Sequence, residues 1–328
     1  MINMKTTRIA SLFCRSVLLL CLAIVFPTWA ASDSSFDRGM ELLGQKDYLA
    51  AEKFLCEAAL AGNGDAMVNL GVMYEQGLGV AQSYTDAVTW YHKAADAANA
   101  SGMFYLGVMY NIGHGVSQDR IEALRWFRRA ADFGQATAMA TLGWSYRSGL
   151  LGVKNYADAR YWFGKASEAG NVEATRELGV MYEYGGGGAR DVAKAYTLYR
   201  EAFVKTAEPY TLMRLWLAGA TLGYRAAVDD DLRFFRQQKN PETWVADLLA
   251  FFAGEINESE LLHRAEAQSD VDRAGRLCEA YYYAGRVRLM KGNRDEARDF
   301  FRRVVALGQS DFSEHFSAQV ELLRLESE

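Results

Sequence analysis

Apolar residues in much of the chain recur with a fixed period of 36 residues. The clearest marker is a leucine followed directly by a glycine, at Leu70-Gly71, Leu106-Gly107, Leu142-Gly143 and Leu178-Gly179. Three further columns share this step and contain Tyr74, Tyr110, Tyr146 and Tyr182; Ala87, Ala123, Ala159 and Ala195; and Trp90, Trp126, Trp162 and Leu198. A period between about 20 and 50 residues is typical of stacked units that cannot bury their apolar faces alone. We therefore expect a repeat architecture whose function lies in a surface.

Each period predicts two helices. In residues 64–99, apolar side chains at positions 66, 67, 70, 73 and 74 follow helical spacing, and a second apolar face begins at Ala87. Gly71 lies within the first helix, where glycine costs roughly 1 kcal/mol relative to alanine. We expect close packing of a neighbouring helix to offset that cost. Glycines from Gly77 onward then turn the chain, so that the two helices form an antiparallel pair.

These columns resemble the Sel1-like repeat, a relative of the tetratricopeptide repeat. The residues that carry the resemblance in the first unit are Ala66, Leu70-Gly71, Tyr74, Gly77, Gly79-Val80, Asp86-Ala87, Trp90-Tyr91 and Lys93-Ala94-Ala95. The pattern recurs from Leu106, from Leu142 and, more loosely, from Leu178, where Gly185 to Gly188 replace the Gly-x-Gly-Val turn. The resemblance implies an all-α fold, a right-handed superhelical α-solenoid of antiparallel helix pairs.

The flanking sequence predicts further helical segments. We assign residues 31–63 to an N-terminal tetratricopeptide-like helix pair that caps the array, and residues 64–206 to four Sel1-like repeats. The period is lost in residues 207–275, a divergent helical segment, and residues 276–328 resemble a tetratricopeptide-like repeat with a capping helix. The C-terminal part also loosely resembles periplasmic NlpI-type adaptors, dimers that bring a protease or a wall hydrolase to its client. That resemblance implies a homodimer.

Residues 1–30 predict a secretory signal peptide. Three basic residues, the last of them Arg15, precede an uncharged apolar stretch from Val17 to Phe26, and Ala30 is the expected cleavage position. The stretch is about ten residues long, whereas a helix that spans a membrane needs roughly 20. We therefore expect a periplasmic or secreted protein with no integral membrane span. Cleavage would shift the formal net charge from −5 to −8, so we do not expect nucleic acid as a partner.

The sequence contains no motif that predicts catalysis, a cofactor or a metal. Four histidines are scattered without a pair at metal-ligand spacing, at His92, His114, His263 and His315. The glycines from Gly185 to Gly188 are not followed by the lysine and hydroxyl residue of a phosphate-binding loop. We therefore expect a non-enzymatic protein with no catalytic residue, no cofactor and no metal site.

By resemblance to tetratricopeptide grooves, the first helix of each unit lines a concave face. The residues that we place in a partner-binding groove are Phe104, Trp144, Arg147, Arg176, Glu183 and Tyr184. Tryptophan, tyrosine and arginine are enriched at the energetic centres of interfaces, and such a groove suits an extended peptide or a partner helix. The alternative is that Phe104 and Trp144 are buried between repeats and only contribute packing.

The sequence thus predicts an exported interaction scaffold or adaptor that binds a peptide segment or helix of an envelope partner in its concave groove. One alternative is a dimeric adaptor for a periplasmic protease or wall hydrolase. An alternative of another class is a carbohydrate-binding or peptidoglycan-binding protein, because tryptophan and tyrosine on a concave face can stack on sugar rings. The chemistry of a groove constrains the class of partner and does not name it.

Overall fold

The computed structural model describes residues 34–150, 154–238, 243–267, 270–309 and 313–327, which form helices and no strand. The predicted signal peptide lies outside these residues. The chain divides into two compact units, Met1–Ala138 and Met139–Glu328. The helices are α1 (34–44), α2 (Tyr48–Leu60), α3 (Gly64–Gln76), α4 (Tyr84–Asp96), α5 (Ala100–Ile112), α6 (Arg120–Asp132), α7 (Ala136–Ser148), α8 (Tyr156–Glu168), α9 (Val172–Tyr184), α10 (Val192–Thr206), α11 (Pro209–Thr221), α12 (Arg225–Gln238), α13 (Thr243–Ala253), α14 (Glu258–Glu266), α15 (Asp270–Met290), α16 (Arg294–Ala306) and α17 (Ser313–Ser327).

Local sequence sets where the repeat helices begin and end. The side chains of Asn63, Asn99 and Asn171 cap α3, α5 and α9 by accepting a hydrogen bond from a backbone amide three residues later. The same three helices end at glycines in the left-handed conformation, which are Gly77, Gly113 and Gly185. Gly185 therefore ends the fourth repeat's first helix as its counterparts do, although the sequence of the following loop departs from the pattern.

The glycine within the first helix of each repeat makes room for an aromatic ring from the second helix. A Cβ atom placed on Gly71 would overlap the ring of Tyr91, and one on Gly179 would lie 2.6 Å from the ring of Tyr199. Phe127 and Phe163 occupy the same position over the glycines of the second and third repeats. The sequence predicted that a neighbouring helix packs closely against this glycine. The aromatic residues of the second helices make that close contact.

In the first unit, each helix packs against the next along the chain. Helix α3 contacts α2, α4 and α5, and α5 contacts α4 and α6. The core is built from small and aliphatic side chains such as Ala58, Ala66 and Leu70, all fully buried. The expected all-α arrangement of successive helix pairs, the α-solenoid class of fold, is confirmed.

The second unit continues this order from α8 to α17 and then departs from it. Helix α17, the last helix of the described chain, packs against its neighbours α16 and α15 and also against α9, the first helix of the fourth repeat. The ring of Phe316 on α17 lies 5.2 Å from that of Tyr156 and 6.4 Å from that of Tyr184. The C-terminal helix thus folds back over the inner helices of its own unit.

Across the described ranges, no helix is both long enough and apolar enough to cross a bilayer.

Candidate partner-binding groove

A groove of about 730 Å³ opens in the unit Met139–Glu328. Its walls are formed by α7, α9 and α11, and by α15 and α17 from the C-terminal part. Aromatic side chains in the wall are Trp144, Tyr210 and Phe316. Four cationic side chains face four acidic ones: Arg147, Lys154, Arg176 and Arg214, with Glu173, Glu177, Glu279 and Glu314. The groove therefore combines apolar surface with equal numbers of cationic and acidic side chains.

Trp144 and Arg147 project from α7 into this groove. The Trp144 ring meets Phe163 edge-on, with centroids 5.9 Å apart, and stays partly exposed. Arg147 donates a hydrogen bond to the buried carboxylate of Glu177 on α9. Burial by itself would raise the pKa of Glu177, but the surrounding guanidinium groups, Arg147 first among them, hold that pKa below its ordinary value. The pair fixes the distance between α7 and α9 at the groove floor.

Arg176 connects the fourth repeat to the next helix. Its guanidinium lies 3.5 Å from Glu177 and 3.5 Å from Glu208. Glu208 in turn accepts hydrogen bonds from the backbone amides of Tyr210 and Thr211, which start α11. Arg176 therefore ties α9 to the N-terminal cap of α11 along one wall of the groove.

A buried ionic network continues from this wall to the region covered by α17. Glu183 on α9 is 1% exposed, accepts a hydrogen bond of 2.8 Å from Tyr199 and pairs at 2.7 Å with Arg286 on α15. Burial opposes the charge of Glu183, yet Arg286 and Arg214 keep its pKa below the ordinary value. The network joins α9, α10 and α15 through buried charged and hydroxyl groups.

Arg214 on α11 carries the network into α17. It is 2% exposed and donates to Ser313 and to Glu314, both at 2.8 Å. Glu314 also accepts from Tyr283 at 3.3 Å. The N-terminal turn of α17 is thereby attached to the array by hydrogen bonds to a buried guanidinium.

Glu279 on α15 is a buried acid with a different environment. Trp244 donates to it at 2.7 Å and Tyr210 at 3.4 Å. Burial, together with the nearby charge of Glu314, raises the pKa of Glu279 to about 7. The groove therefore contains one carboxyl that holds its proton in mildly acidic solution.

Comparison with known proteins shows which type of repeat builds the groove. The family model of the Sel1 repeat matches residues 64–99, 100–133, 136–171 and 172–203. The chain contains four Sel1 repeats. It is similar to the crystal structure of a Sel1 repeat protein from Oxalobacter formigenes, with a TM-score of 0.54 and 26% identity over 83% of this chain and 99% of that one.

A second similar structure is that of c5321, described as a protective antigen present in uropathogenic Escherichia coli strains and displaying an SLR fold. The TM-score is 0.58 with 24% identity, over 89% of this chain and 71% of that chain. At this identity the likeness concerns the fold alone. The Sel1-like repeat fold is a protein-interaction scaffold, and proteins built on it are generally non-enzymatic.

The structure places the six predicted groove residues of this repeat array in three different settings. Trp144, Arg147 and Arg176 line the open groove. Phe104 lies in the first unit, partly exposed, with its ring 5.6 Å from that of Phe127. The remaining two, Glu183 and Tyr184, are buried beneath α17. Whether any of the six binds a partner stays a prediction.

The expected exposure of Glu183 and Tyr184 is wrong. Their relative exposures are 1% and 5%. The Tyr184 hydroxyl is hydrogen-bonded to Tyr282 and Arg286, which belong to α15. The repeat register places both side chains on the inner face, as expected, but helices from the C-terminal part cover that face in the fourth repeat.

Sequence reasoning missed the two buried arginines of the network. Arg214 lies inside an apolar run from Leu212 to Leu217, and Arg286 follows three consecutive tyrosines, Tyr281 to Tyr283, within α15. A charged residue inside an apolar helical run is rarely buried without a partner. That signal could have indicated that Arg214 requires a buried acidic partner. It could not have identified which acid supplies the charge.

Within the described residues, histidine, cysteine and acidic side chains do not gather into a group that could hold a metal ion. Burial, with Lys154 as the second cause, lowers the pKa of His315.

Proposed function

We propose that this chain is an exported, non-enzymatic protein-interaction scaffold whose open groove binds an extended segment or helix of a protein partner in the cell envelope. The observation that carries the proposal is the groove itself, formed by the inner helices α7, α9 and α11, with Trp144 and Arg147 projecting into it. Export rests on the signal-peptide pattern of residues 1–30.

The size and charge of the groove support a peptide segment as the occupant. A volume of about 730 Å³ accommodates a few side chains and their backbone. Equal numbers of cationic and acidic groups offer donors and acceptors to a neutral backbone, but they give no net attraction to a polyanion. A partner segment that combines an apolar anchor with polar neighbours fits this lining.

Trp144 is the side chain that we expect to contribute most to binding. It is aromatic, only partly buried, and held edge-on against Phe163. A partner that binds its exposed face therefore causes little further loss of side-chain rotamer freedom. Arg147 is already paired with Glu177 and would leave that carboxylate buried if it were removed. Trp144→Ala is therefore the cleaner substitution for testing the groove.

The experiment is photo-crosslinking in cells. A photoreactive amino acid replaces Ser148, an exposed residue of the groove lining, and in a matched control it replaces Tyr161, which is 56% exposed on α8. We expect a specific crosslinked protein at position 148, its loss in the Trp144→Ala background, and no such product at position 161. Identical products at both positions would contradict a role for the groove.

Two further measurements decide between the alternatives. A crosslinked product that disappears on glycan digestion would assign the groove to a wall carbohydrate, and one that contains a second copy of this chain would favour the dimeric adaptor. Cell fractionation and N-terminal sequencing test export, with a mature chain that begins at Ala31 as the expected result. An intact N-terminus in the cytosolic fraction would overturn that part of the proposal.

A further inference from the structure

Helix α17 buries several polar side chains together with apolar ones such as Phe316 and Leu325. Positions 314, 317, 318, 321 and 325 are buried and follow the spacing of a single helical face. Two of them are glutamates, Glu314 and Glu321, with exposures of 6% and 2%. Leu323, by contrast, is 67% exposed on the outer side. Hydrophobic collapse alone does not explain how this helix is held, because buried acids need charged partners.

The partners are two arginines on the inner helices. Arg214 pairs with Glu314 at 2.8 Å, and Arg286 pairs with Glu321 at 3.6 Å. One acid of the array, Glu183, lies 2.7 Å from Arg286 and 4.0 Å from Arg214. We call the surface formed by Glu183, Tyr184, Arg214, Tyr282, Tyr283 and Arg286 the face beneath α17.

Without α17, this face would carry two guanidinium groups and one carboxylate. Its tyrosines add hydroxyl groups, of which that of Tyr283 donates to Glu314 at 3.3 Å, whereas those of Tyr184 and Tyr282 are hydrogen-bonded to each other. The face is thus complementary to a helix that presents two carboxylates seven residues apart, on the same side and two turns from each other. Helix α17 meets that description with Glu314 and Glu321.

We propose that the face beneath α17 is a binding site for an acidic helix of a partner protein, and that α17 occupies this site as an internal ligand. The exchange is physically reasonable, because an incoming helix with the same two carboxylates restores the buried pairs that α17 gives up. The site adjoins the open groove, because Arg214 and Glu314 line both and α17 forms one groove wall. The two proposals are tested apart: the peptide experiments below follow α17 and do not involve Trp144, whereas crosslinking at position 148 does not require α17 to leave its place.

The first test supplies the helix from outside. The full chain carries Glu314→Gln and Glu321→Gln, which keep the shape of α17 and remove both charges. The probe is a labelled synthetic peptide of residues 313–327, and the control peptide carries the same two glutamines. We expect the unaltered peptide to bind the variant at least roughly tenfold more tightly than it binds the unaltered chain. We also expect it to bind the variant roughly tenfold more tightly than the control peptide binds the variant. Equal binding of the two peptides, or no binding to a variant with native helical content, would overturn the proposal.

The second test uses the unaltered chain and so does not depend on the folding of the variant. Hydrogen-deuterium exchange of the chain's own α17 is followed with and without an excess of the unlabelled peptide, whose separate mass distinguishes it. We expect exchange in α17 to accelerate with the unaltered peptide and not with the control peptide. Unchanged exchange with both peptides contradicts displacement, and a dimer that forms by exchange of α17 between two copies would assign the face to a second copy instead of a foreign helix.

Discussion

The first and fourth repeats contain the same tyrosine-glutamate pair in two different environments. In the first repeat, the Tyr91 hydroxyl donates to Glu75 at 2.6 Å, and Glu75 remains partly exposed. In the fourth repeat, Tyr199 donates to Glu183 at 2.8 Å, and Glu183 is 1% exposed with Arg286 beside it. One repeat position is therefore a local contact near solvent in one region and the centre of a buried ionic network in the other.

The difference shows what a repeat sequence does and does not determine. The contact between the two helices of a repeat is set within about 20 residues, so it recurs wherever the residue types recur. The charge environment of that contact depends on α15 and α17, which lie roughly 100 or more residues further along the chain. Solvent exposure at a repeat position is therefore a property of the whole unit, not of the repeat.

The largest effect that we expect distinguishes these two environments. Glu183→Ala should lower the free energy of unfolding by about 3–5 kcal/mol, because Arg286 and Arg214 lose a buried counter-charge. Glu75→Ala should cost about 1–2 kcal/mol, because only the Tyr91 hydroxyl loses its acceptor. Urea unfolding followed by circular dichroism measures both. Tyr199→Phe and Tyr91→Phe are the matched controls, and each should have a small effect. Equal losses for the two glutamates would show that the fourth repeat gains nothing from its covering helices.

Much of the fold could be predicted from the sequence because the repeat is local. The 36-residue period fixes helix pairs, and the glycine column anticipates the close aromatic contact that Tyr91 and Tyr199 make. The placement of α15 and α17 against α9 could not be predicted, because it depends on long-range contacts such as Arg286 with Glu183, which are 103 residues apart, and Phe316 with Tyr184. For the same reason the sequence placed Trp144 in an accessible groove and also placed Tyr184 there, where α15 and α17 in fact cover it.

The sequence does contain a partial signal for the polar pairs. Where the second-helix aromatic is tyrosine, as at Tyr91 and Tyr199, the first helix has glutamate sixteen residues earlier. Where that aromatic is phenylalanine, in the second and third repeats, the same position is Asn111 or Arg147. A phenyl ring cannot donate to a carboxylate, so hydroxyl and acid occur together or not at all. This pairing predicts the contact but not its burial.

Glu279 extends the comparison to pH dependence. The folded protein holds its proton up to about pH 7, whereas an ordinary glutamate releases it near 4.5. The protonated form of Glu279 therefore contributes its full stability below pH 4.5. This contribution declines as the pH rises from 4.5 to about 7 and is lost above about pH 7. Glu279→Gln retains an acceptor for Trp244 and Tyr210 without the charge.

We expect Glu279→Gln to stabilise the protein at pH 8 by up to about 3 kcal/mol and to have little effect near pH 4.5. Thermal melts across this range measure the difference between variant and parent. A gain that is the same at every pH would mean that ionisation of Glu279 is not its source.

A smaller effect should be common to both regions. Gly71→Ala and Gly179→Ala each place a methyl group against a buried tyrosine ring, so each should cost about 1–3 kcal/mol. The two costs should be similar, because the contact lies within one repeat and does not involve α15 or α17. A much larger loss at Gly179 would mean that the buried network also constrains the helix packing beneath it.

The smallest expected effect has the opposite sign. Gly164 lies within α8, and a Cβ atom added there would meet nothing within 4 Å apart from its own helix. Gly164→Ala should therefore raise the free energy of unfolding by about 0.5–1 kcal/mol, through helix propensity alone. Gly143→Ala is its control in the same repeat, because the added Cβ would lie 2.6 Å from Phe163 and should destabilise. If both alanines destabilise the protein, the repeat glycines share some constraint besides the aromatic contact, and the distinction between packed and free glycine positions fails.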